Sequence, residues 1–196
     1  MRHMLAPVAA LIALLGLAAC GPDGERDEKE KAPPKLAAWG YVDGSPTSRA
    51  DHEVKNTKDK ALYLCERYEL TAYRIPMPNG KCTVKLHFAE TYEKITEPGQ
   101  RVYTVSLEGT PVLVDFDPFK EAGQQQFAAV VKEFKTEVKD GELTIGFKPK
   151  VQNTMINAIE VSGKKSFNLR VNCGADADYT DKDGHVWKKD QAFGGK

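Results

Sequence analysis

The chain has 196 residues, which is enough for one domain of ordinary size but not for two. Its 28 Lys and Arg residues balance its 28 Asp and Glu residues. This balance argues against nucleic acid as the main partner, because binding to phosphates needs a basic excess. The hydrophobic content of 41% is ordinary for a globular chain.

The first twenty residues are typical of a bacterial lipoprotein signal peptide. Arg2 and His3 form a short basic start, and the apolar run that follows, from Met4 to Ala19, is too short for a membrane span. The run ends in Leu17-Ala18-Ala19-Cys20-Gly21, which resembles the lipobox, in which the Cys is diacylated and becomes the mature N-terminus. An ordinary cleavable signal is the alternative. The small residues and the Cys in register favour lipidation of Cys20.

Residues 21–36 are predicted to form a disordered tether between the lipid anchor and a folded domain at residues 37–196. Charges of both signs, Pro and Gly dominate this segment, so it has almost nothing to bury. The anchor and the tether together predict a membrane-bound protein of the bacterial cell envelope. They do not decide between the periplasmic side and the cell surface.

From Trp39 onward the pattern changes to short alternating segments separated by turns, as all-β folds show. Cys82–Ala89 alternates apolar with mostly polar residues, which predicts a strand with one buried face, and Leu143, Ile145 and Phe147 form one face of another. Further strands are predicted at 61–67, 102–108, 111–116, 129–138, 156–161 and 169–173, with turns at 78–80, 109 and 140–141 and one short turn of helix within 119–127. The pattern predicts an antiparallel β-sandwich.

Three cysteines remain once Cys20 carries lipid: Cys65, Cys82 and Cys173. An odd number in an oxidising compartment is most simply explained by one disulfide and one free thiol. The sequence does not assign the pair. Metal binding is not expected, because the cysteines and histidines lack the spacing of a ligand cluster.

Several segments resemble malectin and malectin-like domains. The segments are Leu62-Tyr63-Leu64-Cys65-Glu66-Arg67-Tyr68, Pro78-Asn79-Gly80, Val84-Lys85-Leu86-His87-Phe88-Ala89-Glu90, Gly99-Gln100-Arg101-Val102-Tyr103, Val114-Asp115-Phe116-Asp117, Gly141 to Phe147, and Asn157-Ala158-Ile159-Glu160-Val161. Each segment is weak evidence alone, but their order and spacing together are specific. The resemblance covers about residues 39–193. It implies an all-β fold of the jelly-roll, galactose-binding-like kind.

One segment is out of the usual order. Members of the family begin with a strand whose motif is matched here by Asn172-Cys173-Gly174, Tyr179-Thr180-Asp181, Gly184, Trp187 and Asp190, yet this segment comes last. Joining Lys196 to about Ala38 would restore the family order. The resemblance therefore implies a circularly permuted domain whose family N-terminal strand is supplied by residues 168–196. A tandem array cut short within a second copy is the alternative.

The resemblance also implies a carbohydrate ligand, a glucose-containing oligosaccharide. No cofactor is expected. Aromatic side chains stack on the apolar face of a sugar ring, and amides or carboxylates orient its hydroxyls. The corresponding positions are Tyr41 (or Trp39), Tyr68, Tyr92, Gln152 and Asn153. Glu93 stands where the family has a second ring, and Gln152 where it has an acid, so the preference for the same sugar is open. The tyrosines could instead simply pack at the ends of strands.

Other chemistry is less well supported. Glu66 and Arg67 are predicted to form a structural ion pair, and His87 is predicted to be exposed on the outer face of its strand. Asp176, Asp178, Asp181 and Asp183 miss the EF-hand spacing and are better explained by a turn. No nucleophile motif is present, so the sequence does not favour an enzyme.

Two functions follow as expectations. The first is a membrane-anchored carbohydrate-binding module. The second is a lipoprotein of the cell envelope that uses the same sandwich for protein interaction or scaffolding, without binding sugar.

Overall fold

The computed structural model describes residues 39–194. The strands are β1 (Gly40–Val42), β2 (Ser45–Ser48), β3 (Cys65–Tyr68), β4 (Ala72–Pro76), β5 (Gly80–Phe88), β6 (Val102–Leu107), β7 (Thr110–Phe116), β8 (Val130–Val138), β9 (Glu142–Val151), β10 (Met155–Ile156), β11 (Ala158–Gly163), β12 (Asn168–Asn172), β13 (Tyr179–Thr180) and β14 (Val186–Lys189). The helical elements are a 3-10 helix at Lys60–Tyr63 and α1 at Pro118–Glu121. Neither helix has the length or the apolar character to cross a bilayer.

Two large sheets form the predicted β-sandwich. One has five strands in the order β1-β4-β9-β6-β7, and the other has six in the order β13-β14-β12-β11-β5-β8. All neighbouring strands are antiparallel except β12 and β14, which run parallel. A third, smaller sheet has three short strands in the order β10-β3-β2. The expected all-β, antiparallel fold class is confirmed.

The main core lies between the two large sheets. It takes alternate residues from each sheet, such as Leu143 and Ile145 from β9 and Val84 and Leu86 from β5. This is the alternation of buried and exposed positions that the sequence predicted for these two strands. The hairpin of β6 and β7 and the turn of helix at α1 are also confirmed.

The outer face of the six-stranded sheet carries a second, smaller apolar cluster. It is built from Val54, Leu62, Tyr63, Ala89, Ala129, Ala158 and Trp187. The prediction of a strand at 61–67 is therefore partly wrong. Leu62 and Tyr63 lie in the 3-10 helix and cover this face, and the strand begins only at Cys65.

His87 is buried, contrary to the prediction. Its side chain does point to the outer face of β5, as alternation requires, but Trp187 covers it with ring centroids 5.4 Å apart. Its Nδ1 lies 2.9 Å from the Tyr63 hydroxyl and its Nε2 lies 3.1 Å from Glu160. The cover comes from a distant segment of the chain, which strand alternation alone does not reveal.

The last described segment completes the six-stranded sheet. β12 pairs with β11 over five residues, and β14 then pairs with β12. The chain next runs beside β1, where the Tyr41 amide donates to Gln191 O at 3.0 Å and the Phe193 amide donates to Tyr41 O at 2.9 Å. Gly40 permits this close approach, because a Cβ there would lie 2.3 Å from Gln191 O.

Two long strands, β7 and β8, each lie at one edge of a large sheet. β7 closes one edge of the five-stranded sheet, and it carries Pro111 and the left-handed residue Asp115, whose φ is 51°. β8 closes one edge of the six-stranded sheet. Its outward side chains alternate in charge along Glu133, Lys135 and Glu137.

The expected disulfide is wrong: Cys65, Cys82 and Cys173 are all free thiols. Cys82 pairs with Gly163, the last residue of β11. Cys173 directly follows Asn172, which pairs with Ala158, the first residue of β11. The two cysteines therefore lie at opposite ends of β11. Cys82 and Cys173 face the main core, and Cys65 is half-buried outside it. The predicted lipidation at Cys20, the signal peptide and the tether all lie outside the described residues.

Candidate functional site

A pocket opens at the end of the sandwich where β3 and β9 end and the loop after β5 begins. We call it the loop pocket, and it is lined by Thr47, Arg49, Glu66, Tyr68, Tyr92, Arg101, Gln152 and Asn153. Its cavity volume is about 260 Å³. Four of the five predicted ligand residues, namely Tyr68, Tyr92, Gln152 and Asn153, therefore lie together. Whether they bind a ligand stays a prediction.

The two tyrosines reach the pocket from different segments. Tyr68 is the last residue of β3, is half-buried and packs in part against the main core. Tyr92 lies four residues after β5, and its backbone is held on both sides. Its amide donates to Glu90 Oε1 at 2.9 Å, and its carbonyl accepts from Gln126 Nε2 at 3.0 Å. Both rings thus line the pocket on ordered backbone.

One side of the pocket floor is an ion pair between Arg49 and Glu66. Arg49 Nη2 lies 3.3 Å from Glu66 Oε1, and the other carboxylate oxygen accepts from the Thr91 hydroxyl at 2.8 Å. Arg49 Nε also donates to the Thr91 hydroxyl oxygen, at 3.1 Å. The Glu66 side chain is 4% exposed, whereas that of Arg49 is 28% exposed. Arg49 is therefore the member of the pair that a ligand can contact.

A second ion pair closes the other side of the floor. Arg101 Nε donates to Glu90 Oε2 at 2.7 Å, with the two side chains 4% and 0% exposed. Burial raises the pKa of Glu90, and the charge of Arg101 acts in the opposite direction. Two arginines and two glutamates leave the floor with no net formal charge. The pocket therefore favours a polar ligand, without requiring a charged one.

Gln152 and Asn153 form a tight loop between β9 and β10. Gln152 has a left-handed backbone with φ of 58°, and its Oε1 accepts from the Asn153 amide at 2.9 Å. Asn153 is held from two directions: its Nδ2 donates to Glu69 Oε1 at 2.8 Å, and its carbonyl accepts from Arg101 Nη1 at 2.8 Å. The loop thus presents amide groups to the pocket in a fixed arrangement.

Tyr41, the fifth predicted ligand residue, lies apart from the loop pocket. It is half-buried in β1 beneath Arg67, whose guanidinium carbon is 3.2 Å from the centre of the ring. Its edge also packs on Tyr73, with ring centroids 6.5 Å apart. The alternative at this position, Trp39, is 6% exposed and belongs to the main core.

The predicted ion pair between Glu66 and Arg67 is wrong. Neighbouring residues of a strand point to opposite faces, so these side chains diverge. Glu66 turns to Arg49 in the loop pocket, and Arg67 turns away to Asp190, 2.6 Å from its Nε.

Four lining residues were missed by the sequence analysis as ligand candidates: Thr47, Arg49, Glu66 and Arg101. Glu66 and Arg101 both lie in segments that carry the family resemblance, which was a usable signal. Thr47 lies in β2 and Arg49 directly follows it. β2 is a short polar strand without an apolar pattern. Nothing in their own sequence distinguishes them.

The acidic turn after β12 has internal partners. Asp181 accepts from the Trp187 indole at 2.9 Å and from the amides of Asp183 and His185. Burial raises the pKa of Asp181, but the hydrogen bonds to its carboxylate outweigh burial and lower the pKa to about 2. Asp178 accepts from the Lys189 amide at 2.8 Å. In residues 39–194 no group of three or more His, Cys, Asp or Glu side chains is arranged to hold a metal ion.

Comparison with known proteins gives one family match. Residues 22–166 match the family model of the malectin domain, a segment that begins within the predicted tether and ends before β12. Receptor-like protein 4 of Arabidopsis thaliana is 39% identical over 85 residues, which are 43% of this chain and 13% of that protein. The chain therefore spans a small fraction of the length of this curated relative.

Solved structures agree on the fold. Bacteroides uniformis β-glucuronidase aligns with a TM-score of 0.57 and 27% identity, over 63% of this chain and 14% of that chain. The ANX1 ectodomain from Arabidopsis thaliana aligns with a TM-score of 0.53 over 78% of this chain and 48% of that chain. Its identity is 18%, so this second likeness supports the fold alone.

Proposed function

The chain belongs to the malectin domain family, and from this premise we propose that it is a carbohydrate-binding module whose ligand occupies the loop pocket. One observation carries the proposal. Tyr68, Tyr92 and the pair Gln152–Asn153 come from three separate segments of the chain and line one pocket. The residues that the family resemblance assigns to sugar binding, apart from Tyr41, thus share a single cavity.

The lining suits a hydroxylated ring. Tyr68 and Tyr92 offer aromatic faces for the apolar C–H face of a sugar, and their hydroxyls are both donors and acceptors. Gln152 and Asn153 add amide groups, and Arg49 adds hydrogen-bond donors to the lining. The chemistry is that of a small-ligand site with a few placed polar groups. A glucose-containing oligosaccharide is the ligand that we propose.

Calorimetry with a panel of α- and β-linked gluco-oligosaccharides, from two to four units, tests the proposal. We expect binding by the wild-type protein, and at least a tenfold loss of affinity for Tyr68→Ala and for Tyr92→Ala, about 1.4 kcal/mol each. Tyr179→Ala is the matched control, because Tyr179 is a half-buried tyrosine that packs on the outer cluster and not in the pocket. Its affinity should equal that of the wild type.

Two results would sink the proposal. One is the absence of binding to every glycan of the panel. The other is equal affinity in the wild type and in the two pocket variants. Recovery of a specific envelope protein by the wild type, without glycan affinity, would instead support the scaffolding function.

We also propose that Cys20 carries the lipid that anchors the protein in the bacterial cell envelope. The support is the register of the apolar run, the small residues and Cys20 in the sequence. Two or three acyl chains on one Cys hold a protein firmly, since each buried CH₂ adds about 0.8 kcal/mol. The Cys20→Ser variant should lose fatty-acid labelling and leave the membrane fraction. A variant that stays lipid-labelled would exclude Cys20 as the modified residue.

Circular permutation remains our proposal for the order of segments. It is supported by the pairing of β12 with β11 and by the contacts of Gln191 and Phe193 with Tyr41 in β1. A reordered chain that places residues 168–196 before residue 37 tests it. We expect the same circular dichroism spectrum and a monomer. An unfolded or strand-exchanged product would favour the truncated tandem array.

We propose no catalytic role for this module. β-Glucuronidase activity belongs to the Bacteroides uniformis protein, of which the alignment covers 14%. Turnover of any glycoside by the purified chain would overturn this part of the proposal.

A further inference from the structure

We propose that the buried ion pair of Arg101 and Glu90 positions both ligand-contacting loops of the loop pocket at once. The two loops are the Tyr92 loop, residues 91–93, and the Gln152 loop, residues 152–154. The family resemblance assigns no such role to Arg101 or Glu90. The inference rests on the proposed function for its ligand, but its structural part can be tested without one.

Three contacts carry the inference. Arg101 Nε donates to Glu90 Oε2 at 2.7 Å, which joins the two charges. The second carboxylate oxygen, Glu90 Oε1, accepts from the Tyr92 amide at 2.9 Å. The second arm of the guanidinium, Nη1, donates to the Asn153 carbonyl at 2.8 Å. One ion pair therefore fixes the backbone of two segments that are 61 residues apart, from Tyr92 to Asn153.

The arrangement needs an arginine at position 101. A guanidinium has donors in a rigid, planar fork, so it can hold a carboxylate and a carbonyl in two fixed directions. A lysine keeps the charge but offers a single flexible ammonium. Both charges are buried, since the Arg101 side chain is 4% exposed and that of Glu90 is 0% exposed, so each charge needs the other as its partner. A buried charge without its partner is strongly unfavourable, so the two loops are linked through the pair.

The two loops do not depend on the pair equally. The Tyr92 loop has a second support, since Gln126 Nε2 donates to the carbonyls of Tyr92 and Ile95 at 3.0 and 2.8 Å. In the Gln152 loop, Thr154 is held separately, since its hydroxyl donates to Leu70 O at 2.7 Å and its carbonyl accepts from the Glu69 amide at 3.0 Å. Residues 152 and 153 have, besides Arg101, only the exposed hydrogen bond from Asn153 to Glu69 as a side-chain link to another described segment. Gln152 also holds a left-handed backbone conformation. Loss of the fork should therefore loosen the Gln152 loop more than the Tyr92 loop.

Arg49 differs from Arg101 in kind. It is 28% exposed at the pocket surface, so its removal deletes a group that a ligand can touch. Arg101 Nε and Nη1 are hydrogen-bonded to Glu90 and Asn153, so it acts on the ligand through the loops. We therefore assign Arg101 and Glu90 as positioning residues.

The test is Arg101→Lys in the full-length chain, with amide hydrogen exchange as the first readout. Exchange at residues 152 and 153 should become at least tenfold faster, and exchange at residues 91–93 should change less. Strand amides in β5 and β9 should be protected as in the wild type. Affinity for the best glycan of the panel should fall at least tenfold, which is about 1.4 kcal/mol.

Arg67→Lys is the matched control. Arg67 and Asp190 form an equally buried pair, with side chains 4% and 3% exposed, outside the loop pocket. This control should lower the unfolding free energy without changing exchange in the two loops or the affinity. A purely structural role for Arg101 would make the two variants behave alike.

Glu90→Gln is a second variant in case Arg101→Lys does not fold. The amide oxygen can still accept from the Tyr92 amide, but the charge that holds Arg101 is lost, so the Gln152 loop should again exchange faster. Unchanged loop exchange in a folded variant overturns the inference, whether or not glycans bind. Faster exchange in a protein that binds no glycan leaves the positioning role intact and overturns the proposed function.

Discussion

Arg67 in β3 donates from Nε to Oδ2 of Asp190, 123 residues later in the chain, over 2.6 Å. The same carboxylate accepts from the Gly174 amide at 2.7 Å and from the Tyr73 hydroxyl at 3.0 Å. Asp190 therefore ties the last described segment to β3, to β4 and to the turn after β12.

Replacement of Asp190 by Ala should lower the unfolding free energy by about 3–5 kcal/mol, because Arg67 would remain buried without its counter-charge. Urea unfolding followed by circular dichroism measures the change. Glu133→Ala is the control: its ion pair with Lys85 is exposed, at 3.7 Å, and should be worth about 1 kcal/mol or less. Equal effects for the two variants would contradict the role assigned to Asp190.

Gln152→Gly should separate stability from binding. Glycine adopts the left-handed conformation of residue 152 without strain, which offsets the greater freedom it gives the unfolded chain. The unfolding free energy should thus change by less than about 1 kcal/mol, while affinity for gluco-oligosaccharides falls because the amide is gone. Calorimetry and urea unfolding on the same preparation measure both quantities. Unchanged affinity would remove Gln152 from the proposed site.

The Asp181 carboxylate should give the protein part of its acid sensitivity. Its pKa is lowered from 3.8 to about 2 in the folded state, so its stabilising contribution is complete above about pH 4 and is lost as the pH falls towards 2. Asp181→Asn should be less stable than the wild type at pH 7, by about 1–3 kcal/mol if the Trp187 indole loses its acceptor.

The sign of the pH effect is the sharper check. The gap in unfolding free energy between the wild type and Asp181→Asn should narrow between pH 4 and pH 2. His185→Ala, which keeps the contact between Asp181 and Trp187, controls for the exposed histidine next to the same carboxylate. A gap that is constant over this range would mean that Asp181 has an ordinary pKa.

The three described thiols should differ in accessibility but not form a disulfide. Burial raises the pKa of Cys173 well above its usual range and that of Cys82 to a lesser degree, so both hold few reactive thiolates. In a Cys20→Ser background, an aromatic disulfide reagent should modify the native protein slowly and release three equivalents only after unfolding. An intact mass 2 Da below that of the reduced chain would instead reveal a disulfide.

Strand alternation predicted the interior of the fold well. In β5 and β9 the apolar residues recur at every second position and face the core between two sheets. The local pattern is therefore enough to predict both the strand and its buried face. β1, β2 and β4 were not predicted. They are short or contain Gly and Pro, and they exist because distant partners such as Tyr68 and Ile145 pair with them.

The loop pocket was predictable only in part, and for the same physical reason. Tyr68, Tyr92, Gln152 and Asn153 were named by likeness to a family, not by any local pattern. Arg101 was visible in the same likeness, but its role depends on contacts with two other segments. Long-range contacts of this kind are decided by the fold, and a single sequence does not list them.

The edge strands β7 and β8 bear on how the protein behaves at high local concentration. An open strand edge invites the same edge of a neighbouring molecule, which is the first step towards aggregation. Pro111 lacks an amide donor, and the left-handed Asp115 interrupts the regular ladder of β7. Along β8, the charged side chains Glu133, Lys135 and Glu137 would have to match their equivalents on a second copy. Many copies could therefore crowd together without pairing along these two edges.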